Sequence, residues 1–208
     1  MSIVLVPIGR VNPAEMRWLQ ESLKEYFSAD VVVGKRIPLA ATAWNPARSQ
    51  YDAEMVLESL LLSGEAAGCD RALGVTDADL YLAGMNFVFG IANRGIAIIS
   101  QHRLRQSFYN LPEDPGIFRR RAVVEAVHEL GHTFGLAHCE NPRCAMHFSN
   151  TIADTDRKGP AFCPVCRSWV ATVRNSGRPD RAGAPRCGVG GEGPTEGNEM
   201  ARFSRKPE

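Results

Sequence analysis

The chain opens on a short apolar run, Ile3 to Ile8, that stops at Gly9. A run of that length closed by a turn residue predicts a buried strand. Pro13 then starts a slower rhythm. Met16, Leu19, Leu23 and Phe27 recur at spacings of three and four, which predicts an amphipathic helix with proline in its first turn. "DVVVGKRIPL", Asp30 to Leu39, predicts a second strand, and Tyr51 to Leu62 a second helix with Met55, Leu60 and Leu61 among its apolar positions. Arg71 to Asp77 predicts a third strand. Strand–helix–strand–helix–strand implies right-handed crossovers and a mostly parallel sheet. Two further apolar runs flank Asn93-Arg94-Gly95, a hairpin signal, so an antiparallel strand is expected at the sheet edge. The fold class read from this pattern is α/β (α+β) with a mixed sheet.

The best-specified helix follows. Asp114 can cap it and Pro115 can begin it, since the fixed φ of proline suits the first helical position. Val123, Val127, Leu130 and Phe134 form an apolar stripe, and Gly135 offers a left-handed stop. The element should span about 20 residues and roughly 30 Å. Arg119, Arg120 and Arg121 sit near its start, where the helix dipole disfavours positive charge. They read as a solvated or salt-bridged face in preference to a clamp for an anionic substrate. From Ser176 the pattern dissolves: the last 33 residues hold seven glycines and four prolines and hardly any large apolar side chain. Residues 176–208 are therefore expected to form a disordered tail, and Cys187 within it is given no role.

Bulk numbers change this picture little. The 208 residues, 44% hydrophobic and 23% charged, suit one globular domain with a tail. A net charge of +1 does not supply the basic surface a nucleic-acid binder needs. No run approaches the roughly 20 apolar residues of a membrane span, and "MSIVLVPIG" lacks the features of a signal peptide. A cytoplasmic, reducing setting is expected, with no membrane or nucleic-acid partner.

The chemistry concentrates in "HELGHTFGLAHCENPRCAM". His128 and His132, four apart on a helix, leave the same face about 6 Å apart along the axis, within reach of one zinc ion. Glu129 lies beside that ion, placed to take a proton from a metal-bound water. Gly135 lets the backbone reverse cheaply, and His138 can then return as a third ligand. Three histidines leave a fourth position open, the mark of a catalytic site. Two surface histidines on an amphipathic helix would be the bland alternative, but they give Glu129, Gly135 and His138 no purpose. Glu125, a turn earlier, reads equally well as support for the site or as an exposed helix residue.

The cysteines exceed what that ion needs. Cys139 directly follows His138, Cys144 lies five further on, and "CPVC" supplies Cys163 and Cys166. Neighbouring side chains on extended backbone point apart, so His138 and Cys139 should serve different metals. Four thiolates in two close pairs suit a closed tetrahedral zinc site. Two disulfides, or a redox-active Cys-x-x-Cys, are the alternatives. The second zinc would staple the loop after the catalytic helix to a C-terminal helix, Arg167 to Arg174.

His128 to His138 matches the metzincin signature, and its continuation through Cys139, Cys144, Ala145-Met146 and Cys163-Pro-Val-Cys166 resembles the archaemetzincin family. "GVTDADLY", "NFVFG" and "AIISQHRL" are similar to upstream segments of that family, so the likeness covers roughly residues 1–175. The resemblance implies a metzincin-like zincin fold split by a horizontal cleft. Residues 1–138 would form an upper subdomain with a mixed twisted sheet, backing helices and the active-site helix. Residues 139–175 would form a smaller, zinc-stapled lower subdomain. Met146 would be the methionine of the Met-turn beneath the histidines. Some metzincins carry a tyrosine ligand two residues after that methionine; Phe148 stands there in this chain and cannot ligate. His147 is a conceivable extra ligand. An edge strand near Phe87 to Asn93 or Ile96 to Ser100 would align an extended peptide by β-addition.

The expectation is a monomeric zinc-dependent peptidase that acts on peptide or protein substrates, with Glu129 as general base. Two zinc ions are expected per chain, one catalytic on His128, His132 and His138 and one structural on Cys139, Cys144, Cys163 and Cys166. The alternative is a zinc-stabilised protein-interaction module with little or no turnover.

Overall fold

The first apolar run pairs on both sides. Strand β1, Ser2–Ile8, is followed by helix α1, Pro13–Phe27, and strand β2, Asp30–Val33, which runs parallel to β1. The computed structural model describes residues 1–93 and 95–176. Arg94 of the hairpin, Cys187 and the rest of the expected tail lie outside them, except Ser176, which is helical. Side chains of β1 alternate between two cores, as the two-residue period of a strand requires. Ile3 and Leu5 pack with α1 on one face, and Val4, Val6 and Ile8 pack on the other. Both faces are covered, which is why the run reads as continuously apolar.

The segment after β2 departs from the expected strand. Only Asp30–Val33 pairs regularly, with Leu5 opposite Val33; Ile37 then returns to bridge Ile8, one residue out of step. Gly34 and its neighbours thus form a bulge, which ends the regular ladder. Next come two short strands, β3 (Trp44–Asn45) and β4 (Gln50–Asp52), and helix α2, Ala53–Leu62. Helix α2 starts later than the apolar pattern suggests because the Asp52 carboxylate caps it, accepting from the N–H groups of Glu54 and Met55 at 2.9 and 3.2 Å. Its buried face is Ala53, Val56, Leu57 and Leu60; Met55 and Leu61, expected inside, are exposed.

Strands β5 (Arg71–Thr76), β6 (Leu80–Tyr81), β7 (Gly90–Asn93) and β8 (Ile96–Ser100) complete the sheets. The main sheet has the order β2-β1-β5-β8-β7, parallel except for the β7–β8 hairpin, so β7 is an edge and β8 is internal. The small sheet β3-β4-β6 was not legible in the sequence. Around it, Arg48 donates to the carbonyls of Met85 and Asn86, both at 2.9 Å, and pins the loop that leads into β7.

Helix α3, Pro115–Thr133, begins as expected. The Asp114 carboxylate accepts from the N–H groups of Gly116 and Ile117 at 2.8 and 3.1 Å. The expected apolar stripe is too narrow a description, for every residue from Arg121 to Gly131 is buried. The sheet covers one side of the helix and the C-terminal segment covers the other. Of the three arginines, Arg121 forms a two-pronged ion pair with Asp156, both bonds 2.7 Å. Arg120 donates to the carbonyls of Asp156 and Lys158. These bonds strap α3 to the short helix α4, Ile152–Arg157, which the sequence did not announce. Helix α5, Pro164–Ser176, is longer than the expected Arg167 to Arg174. Its Trp169 indole donates to the Phe134 carbonyl at 2.9 Å.

Candidate metal and catalytic site

Helix geometry places the first two histidines together, and a left-handed glycine supplies the third. His128 and His132 bring their Nε2 atoms to 3.1 Å. Gly135, at φ +79°, reverses the chain, and the His138 ring returns to 5.4 Å from that of His128 and 4.9 Å from that of His132. One nitrogen from each ring lies within 4.8 Å of the others. The remaining nitrogens of the helical pair are committed elsewhere: His128 Nδ1 donates to the Ala145 carbonyl and His132 Nδ1 to the Leu136 carbonyl, each at 2.7 Å. Those carbonyls require the protons to be on Nδ1. Both Nε2 atoms therefore turn lone pairs toward one another, an arrangement that repels unless a cation lies between them. A zinc ion with tetrahedral ligands at its usual bond length would hold two nitrogens about 3.3 Å apart. The residues fit the ion.

The electrostatics agree. Burial, then the charge of Lys158, holds the His128 imidazole well below its ordinary pKa. Burial and His138 lower His132 to about 4. His138 reaches the surface with part of its ring, yet desolvation of its nitrogens, with Lys158 and His147, also lowers it to about 4. All three rings are neutral at pH 7, as metal ligands must be.

Glu129 is buried beside this set, and its carboxylate has no hydrogen-bond partner among the described residues. Burial, reinforced by the Glu125 carboxylate and opposed by Lys158, raises its pKa well above the usual carboxylate value. Glu125 itself is not an exposed helix residue. It is buried, accepts from the Thr155 hydroxyl at 2.8 Å, and pairs with the wholly buried Lys158 at 3.3 Å. The Lys158 ammonium also donates to the His147 carbonyl at 3.1 Å and lies 3.3 Å from His128 Nδ1. Because that Nδ1 already carries a proton, the last contact is one of charge. Sequence reasoning left Glu125 undecided and missed Lys158 and Thr155. Glu125 had a weak signal, one helical turn before Glu129; Lys158 had none.

Met146 is fully buried under the helix. A side chain at Gly131 would collide with its sulfur, so the helix can approach the methionine only at a glycine. The Phe148 ring lies 4.8 Å from that of His138. His147 is not brought into the cluster; its Nδ1 donates to the Cys139 carbonyl at 2.8 Å. Of the two segments expected to offer a free strand edge, β7 does so, whereas Ile96–Ser100 lies inside the sheet, paired on both sides.

The four cysteines form a second cluster, with all four sulfurs within 4.8 Å of one another and Cys139 and Cys163 3.9 Å apart. None is in a disulfide. Burial raises the Cys144 thiol to about 11. Burial also works against ionising Cys163, but hydrogen bonds from Cys166 and the neighbouring thiols outweigh it and bring that thiol to about 7. Four crowded sulfur donors with no carboxylate in the set suit a closed cation site.

Comparisons with known proteins bear on both clusters. The model of peptidase family M54 matches residues 20–171. The archaemetzincin of Pyrococcus furiosus is 42% identical over 171 residues, covering 79% of this chain and 89% of that protein. The crystal structure of archaemetzincin from Methanopyrus kandleri superposes with a TM-score of 0.74 at 37% identity, over 84% of this chain and 96% of that one. A zinc-dependent peptidase from Methanocorpusculum labreanum superposes with a TM-score of 0.73 at 34% identity, over 81% of this chain and 99% of that one.

Proposed function

The chain belongs to peptidase family M54, the archaemetzincins, and on that premise we propose that His128, His132 and His138 hold a catalytic zinc while Glu129 moves the proton in peptide-bond hydrolysis. A zinc metallopeptidase needs a cation site with an open side and a base beside it. The observation that carries the reading is the convergence of two Nε2 lone pairs at 3.1 Å next to an untethered buried carboxylate.

The ion, when bound, supplies Lewis acidity to the scissile carbonyl and to water. Everything else falls to this chain's own side chains. The Ala145 and Leu136 carbonyls hold the helical imidazoles in the tautomer that leaves Nε2 free. The exposed side of His138 leaves the set open to an incoming peptide. Glu129, in its ionised form, takes a proton from the attacking water on a carboxylate oxygen, and its raised proton affinity holds that proton until it passes to the leaving amine. The free edge of β7 runs up to this carboxylate and can take an extended peptide as an added strand.

Cys139, Cys144, Cys163 and Cys166 would hold a second, structural zinc that ties the post-helix loop to α5. The cleft would then separate residues 1–138 from residues 139–175. Four cysteines outside any disulfide suit a reducing compartment such as the cytoplasm. No described helix is long and apolar enough to cross a membrane.

Digestion of a peptide library, with elemental analysis of the same samples, tests the reading. Glu129→Gln should keep two zinc ions per chain and lose hydrolysis by roughly 10²-fold or more. Undiminished cleavage would remove Glu129 from its role, and no cleavage by the native chain would favour an interaction module.

A further inference from the structure

Glu129 presents a positioning problem. A group that moves a proton must be held within a fraction of an ångström, yet this carboxylate has no hydrogen-bond partner among the described residues. Packing has to do what a hydrogen bond does elsewhere. The chain that packs on it is Gly90, the first residue of edge strand β7. A Cβ built on Gly90 would stand 2.6 Å from Glu129 Cγ and 2.9 Å from its Cδ, closer than real carbon contacts approach. It would also stand 2.5 Å from the Ile98 carbonyl of β8. Gly90 has no left-handed backbone to explain the glycine; its φ is not among the positive values of the chain. What the position needs is the missing side chain.

We propose that Gly90 is the positioning residue for Glu129: the bare backbone of the edge strand is the wall against which the proton-carrying carboxylate rests. The inference rests on Glu129 as proton carrier and adds what holds it there. The wall is itself well fixed. Gly90 pairs with Ile99 in the hairpin, and Ser100 N–H donates to the adjoining Phe89 carbonyl at 2.7 Å. Phe89 is buried against Phe118 and Ala122 of α3, so strand and helix are locked together just upstream of the glutamate. One strand therefore offers its outer edge to a peptide and its inner surface to the carboxylate. A peptide added to that edge would be registered to the proton carrier through a single residue.

A double-mutant cycle on the zinc-loaded protein tests this, with kcat, KM, zinc content and melting temperature measured for each variant. Gly90→Ala should lower kcat roughly 10- to 100-fold, with KM within about threefold of native and zinc retained. In a Glu129→Ala background, which removes the Cγ and Cδ that the methyl group would meet, the same substitution should lower the residual rate by less than about threefold further. Additive losses, or a raised KM with kcat intact, would overturn the proposal and leave Gly90 as a residue of strand pairing alone. Should Gly90→Ala fail to fold, Gly90→Ala with Glu129→Ala decides. Recovery of folding shows that the methyl group and the glutamate compete for one space. No recovery assigns the clash to the Ile98 carbonyl and overturns the proposal. Loss of hydrolysis in Glu129→Gln is read separately, so failure of the cycle leaves the role of Glu129 standing.

Discussion

The histidine cluster and the cysteine cluster meet at one peptide bond, between His138 and Cys139, and differ in almost everything else. The histidines offer three donors, one exposed, one half-buried and one buried, with an acid beside them that has no hydrogen-bond partner among the described residues. The cysteines offer four donors, three of them buried and the fourth half-buried, with no acid in the set. The difference lies in what each set leaves undone. On the proposed reading the nitrogen set is short by one ligand and has Glu129 within reach to carry a proton, whereas the sulfur set would be complete and would only hold the fold. Proximity in sequence thus says little about role, because adjacent residues on extended backbone face apart.

The largest test of that contrast is removal of one ligand from each set. Cys144→Ser should abolish cooperative thermal unfolding at neutral pH. Structural zinc contributes about 10–16 kcal/mol in small zinc folds, as much as the whole stability of a typical domain. His132→Ala should instead fold, melt cooperatively and lose hydrolysis with about one zinc per chain. Equal damage to the fold from both would end the distinction.

A smaller effect separates the sets by pH. Consider the protein stripped of the histidine-held zinc alone. His132 and His138 have folded values of about 4 against an ordinary 6.5. Between those values the unfolded chain binds more protons, so stability present above pH 6.5 drains away as pH falls toward 4. In Glu129→Gln, which removes the opposing titration of that raised carboxyl, unfolding free energies from urea melts at pH 7 and pH 5 should differ by about 2 kcal/mol, chiefly from His132, since solvent screens the exposed His138. Reloading zinc should flatten the dependence. A flat profile without zinc would mean that the rings are not held neutral by their surroundings.

The smallest effect concerns the junction. His147→Ala removes one hydrogen bond, to the Cys139 carbonyl, and should cost about 1 kcal/mol with zinc content unchanged. Loss of a metal ion in that variant would restore His147 as a ligand.

Much of this was legible in the chain because it depends on spacing. The helical histidines, the glycine reversal, the capped start at Asp114 and the two cysteine pairs each follow from a fixed interval, and the structure brings each set together. What the sequence hid was long-range. Gly34 reads as part of a strand and sits in a bulge, since register depends on a partner elsewhere. Met55 and Leu61 are apolar and exposed, since the face of α2 that meets the sheet is the one with Ala53, Val56, Leu57 and Leu60. Lys158 is an ordinary surface residue by type and a wholly buried one in fact. Its neighbours on α3, Glu125 and His128, are distant in sequence, and no local pattern reports them. Gly90 carries no left-handed turn that would flag it, and its purpose appears only when Glu129 is laid against it.

The buried Lys158 also makes the molecule its own chemical clock. An amine-reactive label cannot meet an ammonium with no accessible surface until α4 lifts away from α3. The rate at which mass spectrometry finds that lysine modified, against the exposed Lys35 as a reference, measures how often the seam beneath the histidines breathes.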